Sequence, residues 1–141
     1  MASRLSSAPH PVDQVPPIGK LTVLGIQHVL AFYAGAVVVP LVIASGLGLD
    51  NHTLVHLINA DLLTCGIATI IQSAGIGRFI GVKLPLIQGV TFTAVSPLIA
   101  IGAAATPPGA DPTTGLATMY GSIIAVGLIV FLVAPFFAKL L

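Results

Sequence analysis

The sequence predicts an all-α integral membrane protein, because the chain has very few charges and contains four long apolar stretches. Of its 141 residues, 56% are hydrophobic and only 6% are charged, whereas a soluble domain carries about 25% charged residues. A soluble monomer of this composition would expose one continuous apolar surface. The composition therefore excludes soluble enzymes and disordered chains, and it predicts that the lipid bilayer surrounds the protein.

Charge and cysteine content exclude two further classes. Five basic and four acidic residues give a net charge of +1, which is too small to attract nucleic acid. The single cysteine, Cys65, cannot form an internal disulfide and is too few for a zinc site. We expect no cofactor and no metal site, since His52 and His56 by themselves are only a weak indication of a metal.

Four apolar stretches are long enough to cross a bilayer. A membrane-spanning helix needs about 20 apolar residues to cross about 30 Å of hydrocarbon. The predicted spans occupy most of the chain, so no segment remains for a soluble domain. They are residues 21–45, 54–76, 84–104 and 116–138.

The segment before the first span has a different composition. Residues 1–20 are rich in proline and serine, which predicts an irregular or extended tail. It does not read as a signal peptide, because the apolar run that follows is too long and lacks a small-residue cleavage site. The first span is therefore expected to remain as an anchor.

The basic residues predict the orientation of the spans. With four spans, all five fall on one side of the membrane, while the other two loops contain Asp50 and Asp111 but no Lys or Arg. The positive-inside rule makes the basic side cytoplasmic. We therefore expect both termini inside the cell, in the inner (plasma) membrane. The basic residues are Arg4, Lys20, Arg78, Lys83 and Lys139.

Span one contains an adjacent polar pair, Gln27 and His28. His28 lies about 10 Å along a helix from Leu21, in the inner half of the bilayer and approaching its midplane. The pair could hydrogen-bond neighbouring helices, or it could line a path for a substrate or proton. Position alone does not decide between these interpretations.

Span two contains Asp61, the only acidic residue inside any predicted span. An ionisable group in a membrane is a functional candidate, so Asp61 could carry a proton. The favoured alternative is an interfacial or helix-end residue near the N-terminus of the span, where a negative charge is stabilised by the helix dipole.

Span three has the pattern of a broken helix. Gly89 precedes a β-branched and aromatic stretch, and Ser96 and Pro97 follow it. Ser is a good N-cap and Pro an ideal first helical residue, so we expect a new helix to start at Pro97. The extended piece is predicted at 90–93, facing a cavity that covers its backbone groups. The alternative is a proline-kinked helix.

Three motifs resemble the nucleobase–ascorbate transporters, the second family of nucleobase–cation symporters. They stand in the family's order and cover nearly the whole chain. The tail at 10–17 is similar to the xanthine and uric acid permease branch. The motifs are QHVLAFYAGA at 27–36, followed by Pro40, then NADLLTCGIAT at 59–69 and GVTFTAVSP at 89–97.

The resemblance implies a fold and a site. Members have fourteen spans in two inverted repeats of seven, with a core domain and a gate domain, and the third and tenth spans are broken beside the base. By resemblance, the backbone of Phe92 contacts the purine and Thr91 influences which purine is accepted. Gln27 and His28 shape the site. The implied activity is alternating-access symport of a purine, xanthine or uric acid, with a proton or Na⁺, and a homodimer is one form open to the full-length protein.

The chain departs from the family because its last residues, 139–141, follow directly after span four. The later spans, which carry the family's proton-linked carboxylates, are missing. We therefore expect the N-terminal part of a permease, inactive alone. One alternative is a complete four-span exporter that acts as a homodimer and uses Asp61. The other is a non-transporting membrane subunit, in which the polar centre of span three would have no use.

Overall fold

The structure, a computed structural model, describes residues 14–77 and 80–137, and its regular elements there are four α-helices. Their bounds are α1 (Ile18–Leu47), α2 (Asn51–Ala74), α3 (Phe92–Ala104) and α4 (Thr114–Phe137). By length and composition α1, α2 and α4 could each cross a membrane, while α3 is a shorter apolar helix. The prediction of an all-helical membrane chain is confirmed.

Several predictions concern residues outside the described ranges. Most of the predicted tail lies there, as does the predicted end at 139–141. The same holds for three of the five basic residues on which the predicted orientation depends. These are Arg4, Arg78 and Lys139.

The chain divides into two compact units. The first contains Met1–Gly35 and Thr64–Gly89, and the second contains Ala36–Leu63 and Val90–Leu141. Both α1 and α2 therefore contribute residues to each unit.

The second unit contains the buried core. Val39 and Ile43 of α1, Val95 of α3 and Met119 of α4 form one apolar cluster, in which Met119 is 1% exposed. Partly buried residues packed against it complete the cluster. They are Leu47, Leu98, Ile99 and Leu116.

Most other large apolar side chains stay exposed. On α4 the exposed set includes Ile124, Phe131 and Phe136. An apolar surface of this extent is unfavourable in water and is the surface that lipid solvates. The distribution of burial therefore agrees with the membrane fold predicted from composition.

The connection between α1 and α2 explains where each helix stops and starts. Gly48 adopts a left-handed conformation with φ 68°, and the Leu49 N–H donates to the Ala44 carbonyl at 2.9 Å, which closes the C-terminus of α1. The Asp50 carboxylate accepts the Thr53 N–H at 3.1 Å and acts as the N-cap of α2. Hydrogen bonds from Thr53 hold the pKa of Asp50 below its ordinary value.

The earlier start of α2 changes the interpretation of Asp61. The helix begins at Asn51, not at residue 54 as predicted, so Asp61 lies about 15 Å along the helix from its start. The helix dipole acts within the first turn. Asp61 is therefore not a helix-end residue, whereas its interfacial position stays a prediction.

The third predicted span is helical only in its second half. It was predicted over 84–104, but α3 begins at Phe92 and is about 20 Å long, while residues 85–91 have no regular structure. Thr91 is the N-cap, with φ −115° and ψ 137°, and its side chain accepts the Thr93 N–H.

The predicted start of the new helix was therefore wrong. Ser96 does not cap the helix, and Pro97 lies inside it. Phe92 and Thr93, both expected to be extended, are helical. The physical reason is that the Thr91 oxygen satisfies a first-turn donor five residues earlier. Pro97 is the sixth residue of α3 and has no N–H to donate to the Thr93 carbonyl, so the helix lacks one intrahelical hydrogen bond there.

Candidate functional site

An open cavity of about 440 Å³ lies in the first unit. The volume falls within the range of small-molecule sites, about 300–1,000 Å³. Its lining combines apolar groups, one aromatic ring and two polar side chains. The lining residues are Gln27, His28, Ala31, Phe32 and Ile87.

The geometry of α1 brings four of the lining residues to the cavity. Ala31 and Phe32 each follow a member of the polar pair by four residues, and residues at that spacing are neighbours on one helix face. The sequence analysis identified Gln27 and His28 but missed Phe32 and Ala31. The four-residue spacing was the signal that could have found them.

The polar pair supplies both donors and acceptors. His28 Nδ1 lies 2.9 Å from the Leu24 carbonyl oxygen, and because a carbonyl can only accept, Nδ1 carries the hydrogen in this contact. In the neutral ring Nε2 is then an acceptor. The Gln27 amide has two N–H donors and one carbonyl acceptor. This arrangement suits non-covalent binding of a polar, flat molecule.

The segment that leads toward α3 is attached to α2 within the first unit. The Gln88 N–H donates to Thr69 Oγ1 at 2.9 Å, and the Thr69 hydroxyl lies 3.5 Å from the Gln88 carbonyl oxygen. This reciprocal pair satisfies backbone groups that no helix or strand satisfies. These hydrogen bonds hold Gln88 in place and so position Gly89, the next residue along the chain.

Gly89 lies directly against the ring of Phe32. A Cβ at this position would overlap the far edge of that ring. Gly89 is not among the glycines with positive φ, so close packing against the ring, rather than an unusual backbone conformation, favours a residue without a side chain here.

The other two predicted contact residues lie at the start of α3, in the second unit. Thr91 and Phe92 are both exposed, Phe92 by 60%. The Thr91 hydroxyl accepts the Thr93 N–H at 3.3 Å and donates to Thr93 Oγ1, also at 3.3 Å. Phe92 is the first residue of α3, where backbone N–H groups have no intrahelical acceptor.

The remaining predicted residue, Asp61, is half-buried in α2 within the second unit. The structure thus brings Gln27 and His28 to one cavity and places the other three predicted residues in a different unit. No group of three or more His, Cys, Asp or Glu residues could hold a metal ion within 14–77 and 80–137.

Comparison with known proteins identifies close relatives. A model described as "Permease family" matches residues 19–141. The uric acid transporter UacT of Escherichia coli is 48% identical over 130 residues, 92% of this chain and 26% of the relative. The xanthine permease of Bacillus subtilis is 49% identical over 122 residues, 86% of this chain and 26% of the relative. No solved structure matches.

A third relative matches a similar length of the chain. The uric acid permease PucK of Bacillus subtilis is 47% identical over 121 residues, 86% of this chain and 26% of the relative. The chain therefore spans about a quarter of the length of the curated relatives it matches. All of these relatives are transporters by name, not enzymes.

The resemblance inferred from the three motifs is thus confirmed by a family match over most of the chain and by relatives that share nearly half of its residues. The apolar helices agree with a multi-pass membrane protein. The chain belongs to the nucleobase–ascorbate transporter family, in its xanthine and uric acid permease branch.

Proposed function

We propose that this chain is the N-terminal part of a purine permease that carries xanthine or uric acid by alternating access, coupled to protons or Na⁺. The observation that carries the proposal is the cavity in which Gln27, His28 and Phe32 meet. The names of the relatives support the substrate class. We place the protein in the inner membrane with a cytoplasmic N-terminus, on the basis of the loop charges.

The chemistry of the cavity suits a purine. A purine is flat, and its edge alternates ring nitrogens, N–H groups and carbonyl oxygens. The Gln27 amide can pair with an adjacent donor and acceptor on such an edge, and the His28 ring shapes the cavity beside it. The Phe32 ring offers an aromatic face for offset stacking. Binding of this kind needs no covalent step.

Thr91 and Phe92 are proposed to contact the base from the start of α3. The Phe92 N–H belongs to the first helical turn, where no intrahelical acceptor is available, and it can donate to a purine carbonyl or ring nitrogen. The Thr91 hydroxyl keeps one lone pair after its two hydrogen bonds with Thr93. It can therefore accept a purine N–H.

Asp61 is proposed as a proton-linked group. It is the only acidic residue within α1–α4, it is half-buried, and it lies beyond the reach of the dipole at the α2 N-terminus. A charged carboxylate costs more free energy to bury in a membrane than a protonated carboxyl group does, so binding of a proton favours movement of Asp61 through an apolar environment.

The family resemblance alone supports a homodimer for the full-length form.

The test is transport by a chimera in which this chain replaces the matching quarter of the Escherichia coli uric acid transporter. We expect cells lacking other purine permeases to accumulate labelled uric acid or xanthine through the chimera. A protonophore should abolish accumulation if protons drive it, and removal of Na⁺ should do so if Na⁺ drives it. Accumulation that responds to neither would contradict coupled transport.

Phe32→Ala tests the cavity itself. Loss of the stacking face should weaken apparent purine affinity about 2- to 10-fold, measured by competition for uptake at equal membrane abundance. Phe136→Ala is the matched control, because Phe136 is 72% exposed on α4 and lines no part of the cavity. Equal affinities for the two variants would remove the cavity from the proposal.

A further inference from the structure

Two histidines on the first turns of α2 converge on each other, outside the cavity described above. His52 and His56 are both exposed, and their Nε2 atoms lie 3.4 Å apart. Their rings are inclined at 70° with centroids 4.5 Å apart. Because the nitrogens are closer than the ring centres, the two Nε2 edges face each other.

This separation matches the distance between two ligands of one metal ion. Two imidazole nitrogens bound to a tetrahedral Zn²⁺ at about 2.0–2.1 Å stand about 3.4 Å apart. A direct hydrogen bond between the rings would normally be shorter, since N–H donors approach their acceptors to about 2.7–3.2 Å. The distance therefore fits chelation better than a ring-to-ring hydrogen bond.

We propose that His52 and His56 form a two-histidine site for one divalent transition-metal ion such as Zn²⁺, with water completing the coordination. The helix provides the spacing, since residues four apart are neighbours on its surface. Imidazole nitrogen selects zinc, nickel and copper ions, whereas magnesium and calcium ions prefer oxygen ligands. The ion would link the first two turns of α2.

A nearby carboxylate favours a cation at this position. Asp50 caps α2 two residues before His52, and its charge interacts with that imidazole. Asp50 also offsets the positive end of the helix dipole, which by itself would repel a cation.

The test uses the 141-residue chain, purified in detergent without a polyhistidine tag. Isothermal titration should show one Zn²⁺ bound per chain, with no comparable binding of Mg²⁺. His52→Gln and His56→Gln should each weaken Zn²⁺ binding at least tenfold, because a single imidazole cannot chelate. His10→Gln is the matched control and should bind as the parent does.

A second variant separates geometry from histidine content. His56→Gln combined with Asn59→His keeps the number of imidazoles but places the pair seven residues apart, about 10 Å along the helix, so that no single ion can bridge them. Zn²⁺ binding should fall as in His56→Gln, with circular dichroism confirming unchanged helix content. Parent-like binding by this variant or by either single variant, or no binding by the parent, would overturn the proposal.

Discussion

The Thr91 hydroxyl has a structural role that limits what it can offer a substrate. It donates its only hydrogen to Thr93 Oγ1 and accepts the Thr93 N–H with one of two lone pairs. In this arrangement the remaining lone pair is the part of the hydroxyl open to a purine, and it accepts an N–H. Selectivity at Thr91 would then depend on where a purine carries its ring N–H groups, which differ among xanthine, uric acid and hypoxanthine.

Thr91→Val and Thr91→Ser separate the two roles. Val keeps the shape but loses the cap, so we expect about 1 kcal/mol of lost stability and up to about tenfold weaker binding, unequal among the three purines. Ser should retain both properties. Competition for uptake by the chimera and its thermal stability in detergent measure the two effects separately.

His28→Asn provides the comparison for Thr91. Because His28 shapes the cavity from α1, its loss should lower affinity for all three purines about equally. If Thr91→Val and the parent rank the purines identically at equal membrane abundance, Thr91 does not contact substrate. The backbone of Phe92 would then be the remaining candidate contact at the start of α3.

At the scale of elements, the feature that determines packing is the close approach of α3 and α4 at glycine. Gly115 is buried at the start of α4 against the Gly102 carbonyl of α3, and a Cβ there would overlap that oxygen. The Thr106 hydroxyl donates a hydrogen bond to the same Gly102 carbonyl at 2.8 Å. Small residues allow such backbone contact between membrane helices.

Gly115→Ala should therefore destabilise the protein. Backbone atoms cannot move aside as a flexible side chain can, so we expect a loss of roughly 1–3 kcal/mol, read from denaturant titration in detergent. Gly121→Ala on the same helix is the matched control, because nothing lies within 4 Å of its Cβ. It should be neutral or stabilising by up to about 1 kcal/mol. Equal losses for both variants would show that helix propensity, not contact, sets the effect.

At the scale of the whole molecule, the predicted third membrane crossing would need more than a helix. Hydrocarbon is about 30 Å thick, whereas α3 covers about 20 Å. The eight residues 84–91 can contribute up to about 26 Å if extended. A crossing made of α3 and this segment is long enough, provided that protein or water covers the segment's free backbone groups.

Topology reporters test this crossing together with the predicted orientation. Fusions after Lys20, Lys83 and Lys139 should report the cytoplasm, and fusions near Asp50 and Asp111 should report the outside, because basic loops remain inside. The Lys83 and Asp111 fusions form the decisive pair, since they flank the short helix. The same side for both would mean that this part of the chain does not cross the membrane.

The sequence by itself determined the fold class and the long helices. Predicted spans 21–45, 54–76 and 116–138 correspond to α1, α2 and α4 within a few residues, because apolar length and scarcity of charge are properties of composition along the chain. Family motifs also follow from residue order alone. Neither the apolar stretches nor the motifs require knowledge of which residues meet in space.

Only the tertiary structure decided how the polar residues are arranged. Thr91 and Ser96 are both suitable N-cap residues for α3, and in the structure the Thr91 oxygen caps the helix. The ring of Phe32 lines a cavity together with Ile87, and Gly89 lies against that ring, although both are distant from it in the chain. His52 and His56, in contrast, meet on a single helix, because residues four apart are neighbours on its surface. Residue type states what a side chain can bind, whereas packing between distant residues determines which groups meet.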